Sequence, residues 1–190
     1  AHANPWRTMA TDLPAAPAVP ERLVDLEPVD QAALFRSRAI DVDTVVHGPV
    51  SRHGVPRAIT GIAAGHECRS FMTWDDLPAV GVAAALVTGG LVRVDAELPV
   101  DARKEHQRGY RDVDLGVTGA DAGLAESGTI VLSHGPGRPR MTSLVPEIHI
   151  AVLEVTSIDR SLAHWAQRHP EWVKETTNLV LIKGPSRTGD

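Results

Sequence analysis

The sequence predicts an α/β fold, a mainly parallel sheet layered between helices as α/β/α. Three observations point to it. Short apolar segments alternate with segments of helical periodicity along most of the chain. The stretch VTGADAGLAESGTIVLS, from Val117 to Ser133, sets acids and hydroxyls between Gly119, Gly123 and Gly128 and then enters an apolar run. Such a loop, turned tightly by glycine and feeding a buried strand, is how α/β proteins commonly present a site. Finally, 190 residues suit one domain with a sizeable core.

The elements follow in order. Residues 1–30 carry Pro5, Pro14, Pro17, Pro20 and Pro28 with no sustained period, and read as an extended Pro/Ala-rich arm before a single domain over 31–190. A short helix is expected from Asp30 to Arg38, capped by Asp30. Thr44–His47 is β-branched and reads as a strand. Pro56–His66 reads as a helix with Ile59, Ile62 and Ala63 on one face, weakened by Gly61. Ser70–Trp74 is the next strand. Asp75 or Asp76 should then cap a helix with Val80, Ala83, Ala84 and Val87 as its stripe, stopped by Gly89-Gly90. Leu91–Val94 is a strand, and Asp101–Arg111 a charged surface helix. Val113–Thr118, Thr129–Ser133 and Ile148–Val155 are three apolar strands with little room for helices between them, so a local antiparallel excursion is expected there. Asp159 should cap a helix carrying Leu162, Trp165, Ala166 and His169 on one face and ended by Pro170. Leu179–Ile182 is the last strand.

Composition narrows function. A net charge of −5 argues against non-specific nucleic-acid binding, which depends on Lys and Arg neutralising phosphates. No apolar run reaches the roughly 18 residues of a membrane span, and no export signal is visible. Cys68 is the only cysteine, so an internal disulfide is impossible and a cytoplasmic location is the expectation. One thiol also cannot hold an iron–sulfur cluster. Nine histidines are present, yet none has a tight metal-ligand spacing, so no metal and no resident cofactor are expected.

The glycine-rich loop lacks the G-x-G-x-x-G order and the Walker ending, which excludes both nucleotide fingerprints. Two readings of it remain open. Asp121 and Glu126 can serve as general acid or base, with Thr118, Gly119, Ser127 and Gly128 orienting a carboxylate or phosphate. Alternatively the loop is a capped turn and Glu126 closes a surface charge pair. The ending GPSRTGD offers Ser186, Arg187 and Thr188 after an apolar strand, a combination that favours an anion or else simply caps a helix. Arg138 and Arg140 lie on a Gly/Pro turn. His149, in IHIAVL, points opposite to Ile148 and Ile150, as a packed histidine or a site residue at the strand edge.

VTGADAGLAESGTIVL, the Gly-Pro-Gly turn with Ser143–Pro146 and HIAVL, and NLVLIKGPSRTGD together resemble the LUD-domain family of lactate-utilisation protein C (LutC/YkgG type). The likeness covers roughly Val113–Asp190 and rests on the order and spacing of three motifs. It implies a fold similar to the NagB/ribose-5-phosphate isomerase/CoA-transferase group. It also implies a part in oxidising L-lactate to pyruvate beside iron–sulfur partner proteins. Motif positions carried over are Thr118, Gly119, Asp121, Glu126, Gly128, His149, Ser186, Arg187 and Thr188. A free-standing isomerase or transferase on a small phosphorylated or carboxylated metabolite is the competing expectation, and a regulatory binding module the third.

Overall fold

The computed structural model describes residues 27–96, 112–172 and 178–185. Helix α1 (Pro28–Ile40) opens on a proline in its first turn, where a missing N–H costs nothing. Glu27 occupies the cap without a side-chain bond, so Asp30 lies inside the first turn and is not the cap. The Thr44–His47 segment forms no strand: its residues are irregular and alternate between half-buried and exposed. β-branching alone makes no strand without a neighbour to pair with. A 3-10 turn (Arg52–Gly54) leads into α2 (Val55–Gly65), which buries Ile59 and Ala63.

Strand β1 (Ser70–Thr73), α3 (Val82–Thr88) and β2 (Val92–Arg93) follow. Helix α3 starts later than the Asp75-Asp76 signal suggests, behind Gly81 at φ 87°, and it buries Val82 and Leu86. Val80 is 94% exposed and Val87 54%, so the apolar stripe sits on different residues from those expected. The expected helix over Asp101–Arg111 lies outside the described residues.

Next come β3 (Leu115–Ala120), β4 (Ala122–Leu124), β5 (Thr129–His134), α4 (Met141–Leu144) and β6 (Ile148–Leu153). The described chain closes with β7 (Ile158–Asp159), α5 (Leu162–Arg168) and β8 (Asn178–Ile182). The cap of α5 is Ser161, whose Oγ accepts from His164 N–H at 3.1 Å. Asp159 instead accepts from Arg160 N–H, Arg168 and the ring of His164, a buried carboxylate tying β7 to α5. Trp165 is the core residue of that helix, while Leu162 and Ala166 face outward.

The strands form two sheets. The first, in the order β2-β1-β3-β6, is wholly parallel. Leu115 and Val117 of β3 and Phe71 of β1 share a core with α2 and α3, joined by Ile148, Ile150 and Val152 of β6. The second sheet runs β7-β4-β5-β8, with β4–β5 and β5–β8 antiparallel, which is the excursion expected from the crowded apolar segments. Only Asp121 separates β3 from β4, so one run of chain leaves the parallel sheet and enters the other. Trp165 covers one face of the second sheet; Phe35 and Ala39 of α1, with Ala125, form the core on the other.

Close approach fixes two glycines. A Cβ at Gly116 would overlap the Thr142 carbonyl, because α4 lies directly on β3 there. Gly128, at φ 69° in the β4–β5 turn, lies against the backbone of Arg38 and Ala39. Gly116→Ala should therefore cost at least about 1–3 kcal/mol, the scale of core overpacking, in a denaturant melt. Gly61→Ala, in open space on α2, should instead stabilise by about 0.5–1 kcal/mol through helix propensity.

Candidate functional site

The parallel sheet presents its carboxyl edge where β1 and β3 end, and the charged residues gather there. Trp74, Asp75 and Asp76 follow β1, while Thr118, Gly119 and Asp121 close β3. Parallel register sets Gly116 beside His149 and Thr118 beside Ala151, on the face opposite the α2–α3 core. His149 Nε2 lies 2.9 Å from the Thr118 hydroxyl, and Thr118 is fully buried. Burial pushes the His149 pKa down to about 4, with the charge of His134 adding to it. The imidazole is therefore neutral at ordinary pH, able to give or accept one hydrogen bond at each nitrogen.

His134 ends β5 at 5% exposure. Its ring stands edge-on to Trp74, 5.7 Å between centroids, and its Nε2 is 3.5 Å from Ser143 Oγ. Burial lowers its pKa as well, with Arg140 and Arg138 adding to the effect. Thr142, one residue before Ser143, is fully buried, and its Oγ1 has no hydrogen-bond partner. A buried hydroxyl left unpaired is uncommon enough in native proteins to require an explanation, of which a site for a bound group is one.

Beside this neutral cluster lies a charged one. Asp121 accepts from Ser133 N–H at 2.6 Å and from Arg138 at 2.8 Å. Arg138 also donates to Ser133 Oγ at 3.1 Å and, through Nε, to Asp76 at 2.6 Å. Its guanidinium stands 5.3 Å from the centre of the Trp74 ring. Burial alone would lower the Arg138 pKa, but its bonds to the Asp76 and Asp121 carboxylates outweigh it and raise the value. Trp74 Nε1–H donates to Pro139 O and Asp75 N–H to Gly137 O, which pins the turn after β5 onto the loop after β1.

Of the residues singled out from sequence, the structure brings together Thr118, Gly119, Asp121, Arg138 and His149. Glu126, Ser127 and Gly128 sit at the tip of the β4–β5 hairpin, about 10–15 Å away at roughly 3.3 Å per residue. There the Glu126 carboxylate is exposed and accepts from Leu162 N–H at 3.3 Å, while Ser127 donates to Thr129. Ser186, Arg187 and Thr188 lie outside the described residues. Gly184, just before them, has φ 66° and lies against Val42. The register of Ile130 with Ile182 places it at the hairpin-tip end of the second sheet. Trp74, Asp76, Ser133, His134, Thr142 and Ser143 were missed; the adjacent acids at the end of a predicted strand were the available signal for the first two.

Among the described residues no group of three or more His, Cys, Asp or Glu is placed to hold a metal ion. Burial, and then the Asp114 carboxylate, raises the Cys68 pKa, so this thiol stays protonated and weakly nucleophilic. No described helix is long and apolar enough to cross a membrane.

The sequence profile of the LUD domain matches residues 55–190. This chain belongs to the LUD-domain family. An uncharacterized protein of Neisseria meningitidis serogroup B is 32% identical over 109 residues, 56% of this chain and 46% of that protein. Lactate utilization protein C of Halalkalibacterium halodurans is 31% identical over 165 residues, 77% of this chain and 66% of that one. The LUD-domain chain thus spans about half to two thirds of the length of these two relatives. A crystal structure of a DUF162 family protein from Deinococcus radiodurans superposes with a TM-score of 0.66 at 23% identity, covering 84% of this chain and 90% of that one. That likeness concerns the α/β fold.

Two measurements check the site's energetics. Arg138→Ala should cost roughly 3 kcal/mol in a denaturant melt, because Asp121, 10% exposed, would lose its counter-charge. His149 has a folded pKa below its unfolded value of about 6.5, so its share of stability is complete above that pH. It is lost as pH falls toward about 4, at up to about 1.4 kcal/mol per pH unit. Melts of the native protein and of His149→Gln, compared at about pH 7.5 and about pH 5, should show a smaller pH dependence in the variant.

Proposed function

We propose that this chain is a component of an L-lactate-oxidising system, binding the small carboxylate on the α4-covered face of its parallel sheet while electrons pass through iron–sulfur partner proteins. The observation that carries this is its similarity, along 77% of its length, to a protein named lactate utilization protein C. The site chemistry is compatible. Thr118, His149 and Ser143 supply neutral donors and acceptors on a largely buried face, which His134 and Trp74 wall. Removing two electrons from a 2-hydroxy acid needs a flavin, a nicotinamide or a metal centre to receive them. One cysteine and no nucleotide fingerprint leave that task to partners. His149 Nε2, held against Thr118, can orient a ligand oxygen or hold its proton.

A second location is favoured by one observation. The register of β5 with β8 brings Gly184, the start of the GPSRTGD ending, to the same end of the second sheet as Glu126, Ser127 and Gly128. A site at that tip, with Glu126 as base or nucleophile, fits the free-standing isomerase or transferase reading.

Lactate-dependent dye reduction separates these alternatives. The purified chain alone should give none, and addition of cluster-bearing partner proteins should restore it. In the restored system His149→Gln should lower turnover roughly 10-fold or more, the scale of a lost site hydrogen bond, with Glu126→Gln close to unchanged. The reverse pattern moves the site to the hairpin tip. Robust oxidation by the isolated chain overturns the division of labour altogether.

A further inference from the structure

Arg138 and Arg140 stand two residues apart on the turn after β5, yet their surroundings differ. The guanidinium of Arg138 is spent within the protein: Asp121, Asp76 and Ser133 take its N–H groups, and Trp74 takes its face. An incoming anion would have to displace a carboxylate already bound. Arg140 is exposed, and its guanidinium has no hydrogen bond or ion pair with any described residue. Its backbone is nevertheless fixed. The neighbouring Pro139 carbonyl accepts from Trp74 Nε1–H at 3.2 Å, and the Arg140 carbonyl accepts from Ser143 Oγ at 3.2 Å.

The side chains that follow Arg140 on α4 include two hydroxyls, Thr142 and Ser143. The positive charge of Arg140 is close enough to His134 to help keep that imidazole neutral. Ser143 reaches toward the same ring, and Thr142 beside it carries the buried hydroxyl without a partner. One unspent cation at the rim thus adjoins neutral hydrogen-bonding groups further in. A carboxylate next to a carbon bearing a hydroxyl or a carbonyl oxygen matches that pairing, since the charged end seeks the guanidinium and the neutral oxygen needs only a donor or acceptor. Phosphate would gain from the cation but would have to leave further charge against uncharged hydroxyls.

We propose that Arg140 is the carboxylate-binding residue of this site, that Arg138 is a strut holding the site's walls, and that the hydroxyls of Ser143 and Thr142 read the oxygen on the adjacent carbon, so that the ligand is a small 2-hydroxy or 2-oxo carboxylate. This rests on the preceding reading that the ligand binds on the α4-covered face of the parallel sheet.

Titration calorimetry on the full chain tests it, with L-lactate, pyruvate, propanoate and inorganic phosphate as probes. The native protein should prefer L-lactate and pyruvate to propanoate and phosphate. Arg140→Ala should weaken L-lactate binding by roughly 10- to 100-fold, the scale of a lost charge-assisted hydrogen bond, with an unchanged melting curve. Arg140→Lys should fall between, keeping the charge without the fork. Equal L-lactate affinity in the native protein and Arg140→Ala overturns the assignment of Arg140. If His149→Gln weakens binding in that case, the site reading survives without it. Propanoate or phosphate binding tightest overturns the ligand class. A native chain that binds none of the four probes overturns both the inference and the reading beneath it.

Discussion

The structure is organised around the carboxylate of Asp121. That residue occupies the one position between β3 and β4, where the chain leaves a parallel sheet and joins a mixed one. Its two oxygens are committed to different partners, Ser133 N–H on β5 and Arg138 on the following turn. Arg138 then carries the connection to Asp76, behind β1. Two sheets and three loops are therefore held by two acids and one base. Because Asp121 is nearly buried, the pair works in a medium where charge is weakly screened and neither member is dispensable. The same commitment makes Asp121 a poor proton shuttle, since both its oxygens already accept bonds.

With its carboxylates neutralised internally, the edge of the parallel sheet keeps its polarity without excess charge. Two histidines held neutral by burial, together with hydroxyls from β3 and α4, line a face whose reverse side is mostly apolar. His149 faces this way because β6 alternates: Ile148, Ile150 and Val152 serve the α2–α3 core, which turns the residues between them to the other side. Packing on one face thus dictates chemistry on the other.

Much of this was legible in the sequence. The alternation of β6, the crowding of strands after Val117, the stop at Gly89 and the α/β rhythm all rest on local periodicity, and each is present in the fold. What was not legible depended on neighbours. Thr44–His47 has strand propensity but no sheet edge to join. The apolar stripe of α3 was misplaced because its start depends on Gly81, whose left-handed backbone sets the helix phase, and not on the acids upstream. Asp159 resembles a cap in sequence, but a buried position among Arg168 and His164 gave it another task and left Ser161 to cap. The candidate site divided for a similar reason. Asp121 and Glu126 are five positions apart in the chain, but a β-hairpin converts sequence nearness into distance by sending its tip away from its base. His134 was missed because a histidine ending an apolar run looks no different from a solvated strand end until Trp74 is placed beside it.

The run from Leu115 to Leu124 also imposes an order of events on the folding chain. Its first half pairs with β1, made more than forty positions earlier, and with β6, made about thirty later; its second half waits for β7, later still. Helix α1, although near the beginning, finds its resting place only when Gly123 and Gly128 have formed the hairpin beneath it. A ribosome-bound chain therefore holds its early helix and first strands uncovered until most of the domain has emerged. Contacts of such long sequence separation slow folding and prolong the exposure of apolar edges. A chain built around one shared strand gains a rigid junction and gives up the chance to fold piece by piece.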